Sequence, residues 1–136
     1  MLNKKSFTLI ELLVVVIIIG ILAALAMPGF GVTKEKVLDR EANASLALIQ
    51  AAEKIYRMEV NSYYPYSGNE IDIAKINPNL KISLPTGGTL SWDYVVHNNK
   101  VTATRKVPGG RVWTLTYSGN TSCCSGSDCP SGTGCP

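Results

Sequence analysis

The sequence predicts an α+β fold: one long N-terminal helix, membrane-spanning and then amphipathic, packed on a small antiparallel β-meander and followed by a cysteine-rich loop. Three observations carry this expectation. Residues 7–27 read FTLIELLVVVIIIGILAALAM, with Glu11 as the sole charge. Residues 34–58 then repeat apolar side chains at helical spacing. Residues 90–117 hold three runs that alternate large apolar with polar residues, the period of a strand with one buried face.

Composition narrows the function. The 136 residues suit one ordinary domain. With 46% hydrophobic and 17% charged residues, the chain is no disordered charged tail. The net charge is +3 and falls to +1 without Lys4 and Lys5, too little for a nucleic-acid partner. A single His excludes a multi-His metal site. All four Cys lie between Cys123 and Cys135, so no disulfide framework runs through the fold.

The apolar segment spans about 30 Å as a helix, the thickness of a bilayer core. Three fates fit it. It could be a secretory signal peptide cut after Ala24-Leu25-Ala26, an uncleaved anchor with Lys4 and Lys5 on the cytoplasmic side, or an anchor clipped before Phe7. The stretch is longer than the roughly 7–15 residues of a signal-peptide core. Glu11 costs on the order of 2.5–3.5 kcal/mol at the centre of a membrane helix, so it calls for a partner. The amine of a neighbouring chain would serve, and snorkelling to the interface is the alternative.

The run Lys5-Ser6-Phe7-Thr8-Leu9-Ile10-Glu11-Leu12-Leu13-Val14-Val15-Val16-Ile17, followed by Gly20, Ala23, Ala24 and Met27-Pro28, resembles the N-terminus of type IV pilins and related pseudopilins. The resemblance implies a leader of residues 1–6. A membrane prepilin peptidase would cut between Ser6 and Phe7 and methylate the new amine of Phe7. The family's residue before the cut is Gly, and this chain has Ser6. The resemblance also implies that Glu11 pairs with the N-terminus of an adjacent subunit. In low dielectric such a pair offsets the cost of both charges and sets axial register.

Residues 7–28 are thus the expected transmembrane and filament-core helix, and residues 29–60 its amphipathic half. Pro28, Gly29 and Gly31 interrupt the pattern, because Pro28 lacks an N–H and glycine weakens a helix. They read either as a linker or, as the resemblance implies, as a kink in one long helix. Leu38, Ala42, Ser45, Ile49, Ala52 and Tyr56 then trace one stripe, with Leu48, Ala51 and Ile55 expected to widen the buried face. Lys34, Glu35, Lys36, Asp39, Arg40 and Glu41 form the expected solvated face, and Glu53 with Arg57 an expected i,i+4 surface pair.

Residues 61–89 read as a turn-rich connection, with a helical turn around Ile71, Ile73 and Ile76 and with packing tyrosines at Tyr63, Tyr64 and Tyr66. Residues 90–121 form the expected sheet, with strands at 90–96, 100–107 and 111–117. Asn98-Asn99 and Pro108-Gly109-Gly110 connect them. Trp92, Tyr94, Trp113 and Leu115 are the expected core. His97, beside a turn, reads as a solvated loop residue. Residues 122–136 form a tail too polar to order itself by burial. Two disulfides among Cys123, Cys124, Cys129 and Cys135 would order it. Bonding between the adjacent cysteines is disfavoured by ring strain, which leaves Cys123–Cys129 with Cys124–Cys135, or Cys123–Cys135 with Cys124–Cys129. A four-Cys zinc site is disfavoured by the spacings. Asn43-Ala44-Ser45 and Asn120-Thr121-Ser122 match a glycosylation sequon, a pattern common by chance.

No catalytic constellation, metal site or cofactor motif is visible, and no Gly-rich phosphate loop ends in Gly-Lys-Ser or Gly-Lys-Thr. The expectation is a structural subunit, not an enzyme. The resemblance implies a precursor in the inner membrane with its N-terminus cytoplasmic. It also implies a homo-oligomeric helical filament built by prepilin peptidase and an inner-membrane platform with a cytoplasmic ATPase. A type IV pilus subunit is the first reading and a pseudopilin of type II secretion the second. The family's major pseudopilins resemble calcium-binding proteins near their C-terminus, where this chain has four Cys and only Asp128. A membrane-anchored or secreted periplasmic binding protein is the lesser alternative.

Overall fold

The computed structural model describes residues 7–26, 29–88, 90–107 and 110–136. The leader with Ser6, the Met27-Pro28 pair and the Pro108-Gly109 connector lie outside the described residues. The chain divides into two units, Met1–Val37 and Leu38–Pro136.

In the first unit, α1 runs from Leu9 to Ala26 and buries none of its side chains. No stripe of one polarity exists on it, so the helix has no face to turn inward. The second helix, α2, spans Phe30–Val60. Gly29 directly precedes it and Gly31 lies in its first turn.

In the second unit, α2 lays Ala42, Leu46, Ile49, Ala52 and Glu53 into the core. They face a five-stranded antiparallel sheet in the order β1-β2-β3-β4-β5: Asn69–Glu70, Trp92–His97, Lys100–Arg105, Val112–Thr116 and Cys123–Ser125. The expected alternation holds. Trp92, Tyr94 and Val96 are buried from β2, Val101 and Ala103 from β3, and Trp113 and Leu115 from β4. Register sets complementary volumes, for Tyr94 pairs with Ala103, Ala103 with Trp113 and Trp113 with Cys124. Small Ala103 thus leaves room for the two aromatic rings beside it. Gly110 closes the β3–β4 connection because a Cβ there would collide with the Arg105 carbonyl oxygen.

Several sequence expectations need correction. The sheet has five strands, not three. Both added strands are edge strands of two and three residues, too short and polar to show a period. The expected helical turn is a two-turn helix, α3 (Ile73–Leu80). The Asp72 side chain caps it by accepting from the Ala74 N–H at 2.9 Å, and it buries Ile76 and Leu80. On α2 the buried arc is rotated: Leu48, Ala51 and Ile55 are exposed, and Leu46 and Glu53 are inside. The sheet covers the arc through Ala42, Leu46, Ile49 and Glu53, and the acid at 53 hid that arc from a polarity pattern.

The expected Glu53–Arg57 surface pair does not form. Glu53 is fully buried, and Arg57 instead donates to the Tyr63 hydroxyl at 2.9 Å. Asp39, expected in solvent, accepts from Arg111 Nε at 2.6 Å and from Trp113 Nε1 at 2.9 Å. It fastens α2 to β4 together with the Trp92 Nε1–Leu38 carbonyl bond of 3.0 Å from β2. His97 is not a loop residue. It ends β2, pairs with Asn69 and is half-buried, and burial with Lys100 nearby lowers its pKa. Tyr66 is the fully solvated tyrosine of the connection, while Tyr63 and Tyr64 pack against the core.

Candidate assembly surface

Glu11 does not stand as an isolated charge. Thr8 immediately precedes α1 and occupies its N-cap, which puts Glu11 at the third helical position. The Glu11 N–H donates to Thr8 Oγ1 at 3.4 Å. Glu11 Oε2 accepts from the Thr8 N–H at 3.4 Å and from the Thr8 hydroxyl at 3.2 Å. This is a capping box, in which two otherwise orphaned N–H groups at a helix start are satisfied reciprocally. The sequence carries this signal as Thr-x-x-Glu ahead of an apolar run. The acid also sits at the positive end of the helix dipole, where negative charge is favoured.

Around this capped start the surface is hydrocarbon. Phe7 is 70% exposed and Leu9 85%, and every large side chain from Ile10 to Leu25 is about half exposed or more. Such a helix is long and apolar enough to cross a membrane. In water it would expose a patch far larger than a soluble monomer carries.

The second unit offers a different apolar surface. Ala44, Leu48, Ala51, Ile55 and Met58 follow one another at spacings of four and three on α2, and all are exposed. That is the spacing of a coiled-coil seam, with two alanines set among three larger side chains. Beside it, an open groove of about 290 Å3 is lined by Leu48, Ile55, Tyr56, Leu80 and Ile82. A Lys81–Glu59 ion pair of 3.1 Å flanks it.

The cysteine tail is closed by Cys123–Cys135 and Cys124–Cys129, the second of the two pairings left open by the sequence. Strand alternation explains the choice. On β5, Cys124 points into the core and Cys123 away from it, so each meets a different part of the tail. Cys129, partly buried, packs against the core. Backbone bonds from Cys124 N to Thr133 O and from Cys135 N to Cys124 O hold the tail along β5. With all four sulfurs in disulfides, the tail has no thiolate for zinc. Among the described residues no group of three or more His, Cys, Asp or Glu side chains could hold a metal ion.

An unburied apolar helix is followed in the chain by a separately cored, disulfide-closed unit. Residues 1–27 match the family described as the prokaryotic N-terminal methylation motif. The chain is 41% identical over 72 residues to the type IV major pilin protein PilA of Myxococcus xanthus, covering 53% of this chain and 32% of that one. It is 31% identical over 70 residues to type II secretion system core protein G of Escherichia coli, covering 52% and 48%. To the core protein G of Vibrio cholerae it is 32% identical over 76 residues, covering 56% and 51%. No solved structure matches the chain significantly. The chain is thus similar both to a type IV pilin and to type II secretion system core proteins. Its matches divide between the two branches, and it spans about a third to a half of the length of these relatives. A methylation motif on an apolar helix is the arrangement of an inner-membrane precursor.

Proposed function

We propose that this chain is the structural subunit of a type IV pilus, assembled from the inner membrane after its leader is removed between Ser6 and Phe7. The observation that carries this reading is α1, an 18-residue helix with no buried residue and one acid near its start. A membrane suits it before assembly, and a bundle of identical helices suits it afterwards. Phe7, bearing a methylated amine, and Glu11 of the next subunit form the register-setting pair. On leaving the capping box, Glu11 exchanges a hydroxyl partner for a cation, and charge-assisted bonds are roughly twice as strong as neutral ones. The α2 seam adds a helix-packing surface. Head-to-tail contact of this kind does not close, which is the symmetry of a fibre. Pro28 has no N–H and Gly29 and Gly31 weaken a helix, so the sequence at 28–31 is where bending on entry to the filament would cost least. A prepilin peptidase and an inner-membrane platform with its cytoplasmic ATPase are the partners.

The disulfide-closed tail, with Asp128 as its lone acid, favours the pilus over the pseudopilus. The second reading, a pseudopilin, is favoured by the core protein G relatives, of which the chain covers about half. Glu11→Ala tests the assembly role common to both. Filaments counted by electron microscopy fall to near zero while the precursor still accumulates in the membrane. Normal filament numbers from Glu11→Ala would refute it. Surface filaments lost on gene deletion, with secretion intact, distinguish the pilus from the pseudopilus.

A further inference from the structure

Glu53 lies within α2 with its side chain wholly buried. Its Oε2 accepts from the Tyr64 N–H at 2.9 Å, and its Oε1 has no hydrogen-bond partner. What surrounds it is phenolic, not cationic. Tyr64 faces it from the segment that leaves α2, and Tyr117 from the end of β4. Tyr63 lies tilted against Tyr117 with ring centroids 4.7 Å apart, and Tyr64 meets Tyr56 edge-on at 5.9 Å. Arg57, one turn along the same helix, is committed to Tyr63, donating to its hydroxyl and lying 4.8 Å over its ring. On the far side of Tyr64 lies a second acid, Glu70, which accepts from the Tyr64 hydroxyl at 3.5 Å.

An ionised carboxylate has about four lone-pair sites to satisfy, and here one donor reaches it. Burying that charge with no cation beside it is costly, so the neutral acid is the form that fits the site. The carboxyl nevertheless holds the backbone of the segment 61–68, which leads into the edge strand β1 and on to α3.

We propose that Glu53 is a proton-operated latch on the segment 61–68. Uncharged, it seals Tyr63 and Tyr64 against α2 and Tyr117. Ionised, its orphaned oxygen draws in water, and the segment loosens together with the route to β1 and α3. Burial is the main force on its titration and the Tyr64 N–H a smaller opposing one, so its carboxyl is pushed up to about 7. The latch therefore works between mildly acidic and mildly alkaline pH. It stands on the packing of the second unit and does not depend on the filament reading.

The test is an NMR titration of the full-length protein in detergent micelles from about pH 5 to about pH 9. The Glu53 side-chain carboxyl carbon and the Tyr64 amide proton are followed together. They are expected to titrate with one midpoint within about a unit of 7. Hydrogen exchange of residues 61–68, measured relative to Glu53→Gln at each pH, is expected to rise about threefold or more across that midpoint while β3 stays protected. A Glu53 midpoint in the ordinary carboxyl range would overturn the proposal, as would a Tyr64 amide indifferent to it. So would a Glu53→Gln protein that loosens with pH as the wild type does. If Glu53→Gln does not fold, the wild-type titration decides alone.

Discussion

The helix α1 and the sheet-facing part of α2 are both helical, yet they solve opposite problems. The first is apolar on every side and buries none of its side chains, so nothing within its own unit shields it from water. The second divides its surface. Ala42, Leu46, Ile49 and Ala52 are sealed against Trp92, Tyr94 and Trp113, while Leu48, Ala51 and Ile55 remain bare. One unit therefore carries its own core and the other carries none. Each also places its acid accordingly. Glu11 is exposed and capped by Thr8, free to change partners, whereas Glu53 is enclosed with a single donor.

Paired substitutions sharpen the contrast most. Leu46→Ala is expected to cost the second unit about 2–5 kcal/mol in denaturant unfolding, because a fully buried Leu leaves a cavity. Leu13→Ala in α1 is expected to leave that unfolding unchanged and to reduce filament yield. If Leu13→Ala destabilised the second unit as strongly as Leu46→Ala, the division would fail.

Next in size is the pH dependence of the second unit. The Glu53 carboxyl is raised from 4.5 to about 7 in the folded protein, so the folded state holds its proton where the unfolded state has lost it. The resulting stability is fully present below about 4.5, is lost as pH rises toward 7, and levels off above it. Its upper bound is on the order of 3 kcal/mol. Glu53→Gln is expected to flatten this slope. Urea unfolding at several pH values checks it, and a wild-type stability that rose through this window would contradict the sign.

Asp39→Ala comes third. It removes an acceptor shared by Arg111 and Trp113, at an expected cost of about 2–3 kcal/mol by the same unfolding measurement. Last is Thr8→Val, which removes the capping hydroxyl from α1. About 1 kcal/mol of local helix stability is expected to go, read as faster amide exchange at the start of α1 in micelles with the second unit untouched.

These expectations also mark what the sequence made legible. The membrane helix was plain because 21 residues with one charge admit few other structures. The three central strands were plain because Trp92, Tyr94, Val101, Ala103, Trp113 and Leu115 alternate with polar neighbours. The edge strands were not, since Asn69-Glu70 and Cys123-Cys124-Ser125 are strands only through the partners they pair with. The buried arc of α2 was misplaced by one column because polarity is a poor guide where a carboxyl is enclosed. The role of Asp39 is not legible locally, because its partners Arg111 and Trp113 lie more than seventy residues away. The disulfide pairing needed the opposite faces of β5, which adjacent cysteines reveal only once that strand is placed.

The mass of the N-terminal peptide of the mature protein decides whether α1 is kept for assembly. A chain beginning at N-methylated Phe7, with Glu11 still four residues from the amine, is expected. A mature chain beginning at Met27 would contradict it, because the assembly helix would have been discarded with a signal peptide.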